Sequence, residues 1–302
     1  GDLEARLVRA VGDPVRRFDE DALRLLRAGR IAAKLDFAIE PMTRAAIEAH
    51  AADVEWVSEE RIGSEVRRML TAPRPSRAVE LMSATGILAT TLPELDQLPT
   101  DATRRALATL DLVARDHPGQ ERLALAALLG ELTPELAHSV LLRLRVASRD
   151  ADVVSALVAA APGRYDRAWA DADVRRFMGR VPADLVAELL QLRAARAEAM
   201  AGDDPDAPVR EVELAERVSR QEAAASPLTL AALAVDGRDL RETLGLPEGP
   251  VIGAILDRLL ADVIEDPSLN TRLTLLTRAS LILEELMQQR DAAAGPAGPP
   301  IR

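Results

Sequence analysis

Near the N-terminus, Glu20-Asp21-Ala22-Leu23-Arg24-Leu25-Leu26-Arg27-Ala28-Gly29-Arg30 carries two carboxylates and three guanidiniums within eleven residues. A carboxylate only accepts hydrogen bonds, and a guanidinium only donates them through a planar fork. Set side by side, Asp21 and Arg24 therefore match a partner that presents a donor next to an acceptor. The Watson–Crick edges of cytosine and adenine do this, with an exocyclic amino group beside a bare ring nitrogen. Uracil and guanine offer a carbonyl beside an N–H, which would leave polar groups unpaired at about 1–3 kcal/mol each. Arg27 and Arg30 add donors suited to phosphate oxygens. Asp followed at i+3 by Arg is also an ordinary helix-surface pair worth about a few tenths of a kcal/mol, so the spacing alone leaves both readings open.

Holding such groups still requires a helix with a buried face. At roughly 100° per residue, Arg24, Arg27, Arg30 and Lys34 fall within a sector of about 120°, with Asp21 at its rim. Ala22, Leu25, Leu26, Ala28, Ala32 and Ala33 occupy the other side. The pattern predicts a helix capped by Asp19 and running to about Leu35. Ahead of it, Asp13-Pro14 is a good helix start. After it, Pro41 opens another helix, and Ser58-Glu59-Glu60 supplies a cap and an acidic first turn for a third. Apolar residues make up 48% of the chain but aromatics only 2%, so the cores must be built from Ala, Leu and Val. β-branched residues never accumulate in alternating runs. The expected fold is all-α, an elongated array of helices.

The flanks of the arginine helix carry a family resemblance. Gly1-Asp2-Leu3-Glu4-Ala5-Arg6-Leu7-Val8-Arg9-Ala10-Val11-Gly12-Asp13-Pro14-Val15-Arg16-Arg17-Phe18 resembles the hinge motif between the head and neck of class II tRNA nucleotidyltransferases and bacterial poly(A) polymerases. EDALRLLRAGRIAAKLDF looks like their nucleotide-selecting motif, and Ser58-Glu59-Glu60-Arg61-Ile62-Gly63-Ser64-Glu65 like their next neck motif. The resemblance implies that Asp21 and Arg24 read the base of CTP or ATP and that Arg27 and Arg30 contact the bound nucleotide. Glu20, Glu60 and Arg61 belong to the same motifs in supporting positions, and no role attaches to Gly29.

The resemblance divides the chain into a neck over residues 1–98, a helical body over 99–200, a helical tail over 201–290 and a disordered end over 291–302. Many relatives carry in the body a metal-dependent phosphohydrolase domain marked by an adjacent His-Asp pair after an apolar run. Leu123-Ala124-Leu125-Ala126-Ala127-Leu128-Leu129 looks like that run, but Gly130-Glu131 follows it. The expected body is therefore a degenerate scaffold with no metal site. In the tail, Leu246-Pro247-Glu248-Gly249-Pro250-Val251-Ile252-Gly253 resembles a family segment that lies against the tRNA elbow. The free N–H groups of Gly249, Val251 and Gly253 at a helix start suit either an RNA phosphate or a simple capped turn.

Net charge is −11, and Lys34 is the only lysine, which excludes binding driven by a broad positive field. Residues 1–80 carry 15 acidic and 14 basic side chains, whereas the other 222 carry 34 and 24. RNA contact is thus expected to be local and arginine-based. The absence of Cys excludes disulfides and thiolate metal sites. No apolar run approaches the roughly 20 residues of a membrane span, and no signal peptide stands at the start, so no membrane partner and a cytoplasmic location are expected.

Nucleotide addition needs metal-bound carboxylates. The resemblance places them, with Mg²⁺, on a head domain upstream of Gly1, so the chain reads as part of a longer protein. Asp19-Glu20-Asp21 and Asp171-Ala172-Asp173 share a D-x-D form but lack the strand and glycine turn of such a site, so no catalytic residue is expected in this chain. The expected function is nucleotide selection and tRNA binding for addition or repair of the 3′ CCA end, with CTP, ATP, the tRNA 3′ end and elbow and the catalytic head as partners. A poly(A) polymerase or A-adding enzyme of the same superfamily, and a headless non-catalytic RNA-binding protein, are the alternatives.

Overall fold

A computed structural model describes residues 1–224 and 227–294. Ala225, Ser226 and residues 295–302 of the expected disordered end lie outside the described residues. Among the described residues α-helices joined by short turns and 3₁₀ segments make up the fold, and the only strands are one pair of two residues each, as the all-α expectation required. It divides into two compact units: Gly1–Tyr165 with Asp184–Val212, and Asp166–Ala183 with Glu213–Arg302.

The first unit opens with β1 (Leu7–Val8). α1 (Pro14–Glu20) begins at Asp13, whose carboxylate accepts the Val15 N–H. α2 (Leu23–Leu35) follows and ends at Asp36, which adopts a left-handed conformation with φ 54°. The Asp36 carboxylate is held there by Arg6 and Arg77. β2 (Ala38–Ile39) returns to pair in parallel with β1, Leu7 opposite Ala38 and Val8 opposite Ile39. Two residues per strand are too few for an alternating pattern to show in sequence.

The helix expected to start at an Asp19 cap is broken. Asp19 lies inside α1, and Asp21 is extended, with φ −160° and ψ 101°. Its Oδ1 accepts the Leu23 N–H at 3.2 Å. That local bond competes with the helical ladder, and it makes Asp21 the gatepost of α2 instead of a residue on its face.

Beyond β2 come α3 (Pro41–His50), a 3₁₀ turn (Ala51–Trp56), α4 (Glu59–Met69), α5 (Ser76–Ala84), α6 (Ile87–Thr91) and α7 (Pro93–Asp96). Leu23, Leu25, Leu26, Ala28, Gly29, Ala32 and Ala33 of α2 are buried, and α2 packs on α4 and α5. α4 in turn approaches the backbone at Leu144: a Cβ built on Gly63 would stand 2.0 Å from the Leu144 carbonyl oxygen.

α3 is capped by Glu40, a buried carboxylate that accepts both the N–H and the hydroxyl of Thr43 at 2.8 Å. The Thr43 backbone bond, then its hydroxyl, the Met42 N–H and Arg9 hold this carboxyl below the usual carboxylate range. A depressed folded-state pKa contributes stability that is present above the unfolded value, near about 4.3, and is lost as pH falls through the folded value. Glu40→Gln is therefore expected to lower the melting temperature at pH 7. Calorimetry at successively lower pH should show the gap between wild type and variant close below about pH 4.

The remainder of the first unit comprises α8 (Thr100–Asp116), α9 (Glu121–Leu129), α10 (Pro134–Arg143) and α11 (Ser148–Ala160), then, beyond α12 (Asp171–Met178) of the second unit, α13 (Val186–Ala199). Every residue from Leu123 to Leu129 is buried, because α8, α11 and α13 all pack on α9. Alanines at 124, 126 and 127 let those helices approach closely without aromatic filler.

α14 (Ala207–Ala223) supplies residues to both units. α15 (Gly237–Leu244), α16 (Pro250–Glu265) and α17 (Arg272–Ala294) complete the second unit around Leu240, Ile255, Leu259, Val263, Leu275 and Ala279. Arg175 of α12 donates to the carbonyls of Ile264 and Glu265, capping the end of α16 with a guanidinium.

Candidate nucleotide-binding site

In the first unit, three carboxylates and six guanidiniums form a linked cluster on α1, α2 and α4. Asp21 accepts Nη2 of Arg61 with both oxygens at 3.1 Å. Glu20 accepts from Arg17 at 2.8 Å and from Arg24 at 2.6 Å, and the same Arg24 Nη1 donates to the Arg17 carbonyl at 2.8 Å. Glu65 of α4 accepts from Arg30 at 2.8 Å, Arg27 at 3.4 Å and Arg68 at 3.2 Å. Arg27 also lies 3.9 Å from Asp21. The cluster is cationic by three charges in a chain whose net charge is −11. The Arg24 hydrogen bond, with Arg17 and Arg16 nearby, holds the Glu20 carboxyl below the usual carboxylate range.

Asp21 and Arg24 are adjacent through the backbone, the Arg24 N–H donating to the Asp21 carbonyl at 3.0 Å. Their side chains are held by different partners, Arg61 and Glu20. Capacity remains in both: a carboxylate has about four acceptor positions, and the side-chain bonds described for Arg24 use Nη1 alone. Both side chains are partly exposed, at 23% for Asp21 and 32% for Arg24, so neither is sealed in the core. Glu60 is exposed in the first turn of α4.

Spacing arguments passed over Glu65 and Arg68. Their signal was the α4 pattern Arg61-x-x-x-Glu65-x-x-Arg68, which places all three on one helical face, but nothing local shows that this face meets α2.

Among the described residues, Asp19, His50 and Asp53 offer ligand atoms within 4.8 Å of one another. His50 Nδ1 lies 2.7 Å from Asp53 and 3.6 Å from Asp19. One imidazole with two carboxylates is a poor set for Mg²⁺, which takes oxygen ligands in near-ideal octahedra. In the other D-x-D segment, Asp171 pairs with Arg217 and Asp173 with Arg176.

Where the phosphohydrolase pattern would carry a His-Asp pair, Glu131 is clamped between Arg105 at 2.8 Å and Arg196 at 3.0 Å. Arg196 also donates to the Gly130 carbonyl at 3.1 Å. A Cβ at Gly130 would stand 2.9 Å from both the Ala126 carbonyl oxygen and the Arg196 guanidinium.

In the second unit, Gly249 caps α16 without a side-chain bond, and Val251 is exposed. Gly249 and Gly253 line a cleft of about 270 Å³ with Arg238 and Arg241. Arg238 is paired with Glu242, and Arg241 lies 3.8 Å from Glu248.

A family profile described as tRNA nucleotidyltransferase domain 2 matches residues 117–279, more than half the chain, and one described as a probable RNA- and SrmB-binding site of polymerase A matches residues 36–98. The chain belongs to the tRNA nucleotidyltransferase family.

The CCA-adding enzyme of Pediococcus pentosaceus is 48% identical over 84 residues, covering 28% of this chain and 21% of the relative. That of Streptococcus mutans is 29% identical over 275 residues, covering 91% of this chain and 63% of the relative. The chain thus matches about a fifth of the first relative and under two thirds of the second. The crystal structure of the Bacillus stearothermophilus CCA-adding enzyme in complex with CTP superposes with a TM-score of 0.73 at 25% identity, covering 96% of this chain and 68% of that one. No helix among the described residues is long and apolar enough to cross a membrane.

Proposed function

We propose that this chain supplies the nucleotide-selecting and tRNA-binding part of an enzyme that adds or repairs the 3′ CCA end with CTP and ATP. The observation that carries the reading is the cationic cluster on α1, α2 and α4, in which the Asp21 carboxylate and the Arg24 guanidinium both stay partly exposed. Asp21 accepts the exocyclic amino group of cytosine or adenine, and Arg24 donates to the neighbouring bare ring nitrogen. Arg27 and Arg30 face the phosphates. The tail carries tRNA, with the N–H groups of Gly249, Val251 and Gly253 receiving a backbone phosphate.

The transfer chemistry belongs to a head domain, where Mg²⁺ would activate the terminal hydroxyl and stabilise the leaving pyrophosphate. Within this chain, Asp19, His50 and Asp53 do not suit that ion, and no step is assigned to them. A cytoplasmic setting is part of the same reading.

The test uses the polypeptide its gene encodes and a tRNA lacking its 3′ end, with the products sequenced. Ordered addition of C, C and A is the expected result. Addition of A alone would favour the polymerase reading, toward which the profile over residues 36–98 points. RNA binding without any incorporation would replace both with a non-catalytic role. The 302-residue chain by itself is expected to bind CTP weakly and to transfer nothing.

A further inference from the structure

Glu65 is 1% exposed, yet it is shared by three guanidiniums from two helices. Pinning α4 to α2 would need one arginine; a buried carboxylate with one partner is already a complete ion pair. Gathering three like charges around one acid is unfavourable unless something anionic completes the set. The atoms used are informative. Arg27 and Arg30 both donate to Glu65 through Nε, from the inner edge of the guanidinium, and the only other contact described for either is the 3.9 Å approach of Arg27 Nη1 to Asp21. Arg68 donates through Nη1 to Oε1, the same oxygen that Arg27 uses, and is 61% exposed.

We propose that Glu65 is a positioning residue that fixes the Nε edges of Arg27 and Arg30 so that their Nη faces, with Arg68 as a third arm, form a cradle for the oligophosphate of a nucleoside triphosphate. The inference rests on the reading of this cluster as a nucleotide site and adds two residues to it. An arginine held at Nε keeps both terminal nitrogens for a bidentate contact with a phosphate, and it loses less rotamer freedom on binding because it is already oriented. Because the cradle sees phosphate and not base, Glu65 acts equally on all four nucleotides.

The sign of one variant separates this role from the alternatives. Glu65→Gln removes a negative charge from an anion site, so simple electrostatics demands tighter phosphate binding. A purely structural pin demands a lower melting temperature with unchanged affinity well below the melt. Positioning demands weaker binding, by about tenfold or more, for inorganic triphosphate and for CTP, ATP, UTP and GTP alike. The measurement is calorimetric titration of the polypeptide its gene encodes, with inorganic triphosphate, each nucleotide and a short RNA as separate probes.

Arg68→Ala keeps the test open should the glutamine variant fail to fold, since an exposed side chain can be cut without disturbing the core. It is expected to lose several-fold in triphosphate affinity at an unchanged melting temperature. Equal or tighter triphosphate binding by Glu65→Gln, or unchanged binding by Arg68→Ala, overturns the inference while the reading of Asp21 and Arg24 stands. Loss confined to the RNA probe overturns it too, assigning the arginines to the phosphodiester backbone. Failure of wild type to bind triphosphate or nucleotide at all removes both the inference and the reading beneath it.

Discussion

Asp21→Ala and Arg24→Ala, made in the polypeptide its gene encodes, should each blur the choice of CTP and ATP over UTP and GTP. Each removes one half of a donor–acceptor template, and the wrong base then no longer leaves a buried polar group unpaired. At about 1–3 kcal/mol per unpaired group, the ratio of kcat/KM values for right and wrong nucleotides should fall roughly 5- to 150-fold. Removing Asp21 also frees Arg61, which holds both its oxygens at 3.1 Å. Arg61→Met should therefore shift selectivity in the same direction by a smaller factor, since Asp21 would keep its bond to the Leu23 N–H. Single-nucleotide incorporation from each of the four triphosphates reads these ratios directly. Intact selectivity in both alanine variants would end the template explanation.

The largest effect on stability is expected at a glycine. In Gly63→Ala the new methyl group would meet the Leu144 carbonyl oxygen at 2.0 Å and its carbon at 2.9 Å. Both are backbone atoms, so relief requires α4 to lift from its seat. Overpacking of this kind costs about 3 kcal/mol or more, and at about 2–4 °C per kcal/mol for a unit of this size the melting temperature should fall by roughly 6–12 °C. Gly29→Ala is the internal contrast. An added Cβ there has nothing within 4 Å, and alanine is the better helix former by about 0.8–1 kcal/mol, so that variant should melt higher. Calorimetry of the two variants side by side decides it; a tolerated alanine at 63 would show that α4 and Leu144 do not touch.

Much of the helical framework was legible because its punctuation is local. Asp13-Pro14, Pro41 and Gly249-Pro250 each begin a helix in the structure, and the apolar run at 123–129 forms a helix buried along its whole length. The arginine side of α2 and its buried face also follow from period alone. The break at Asp21 did not, since an acid beside good helix formers reads as part of the helix until its carboxylate is seen bonded to the Leu23 N–H. Glu65 and Gly63 were illegible for another reason. Their meaning lies in partners 35 and 81 positions away, Arg30 and Leu144, and no periodicity within α4 points to either.

The clamp around Glu131 ties the end of α9 to two neighbouring helices at once. Arg105 of α8 and Arg196 of α13 hold the one carboxylate at 2.8 and 3.0 Å, and Arg196 also donates to the Gly130 carbonyl at 3.1 Å. Removing that carboxylate would strip both arginines of a shared counter-charge. The apolar run of α9 is thus fastened at its end by a three-way electrostatic knot, and loosening any strand of it is felt by the other two.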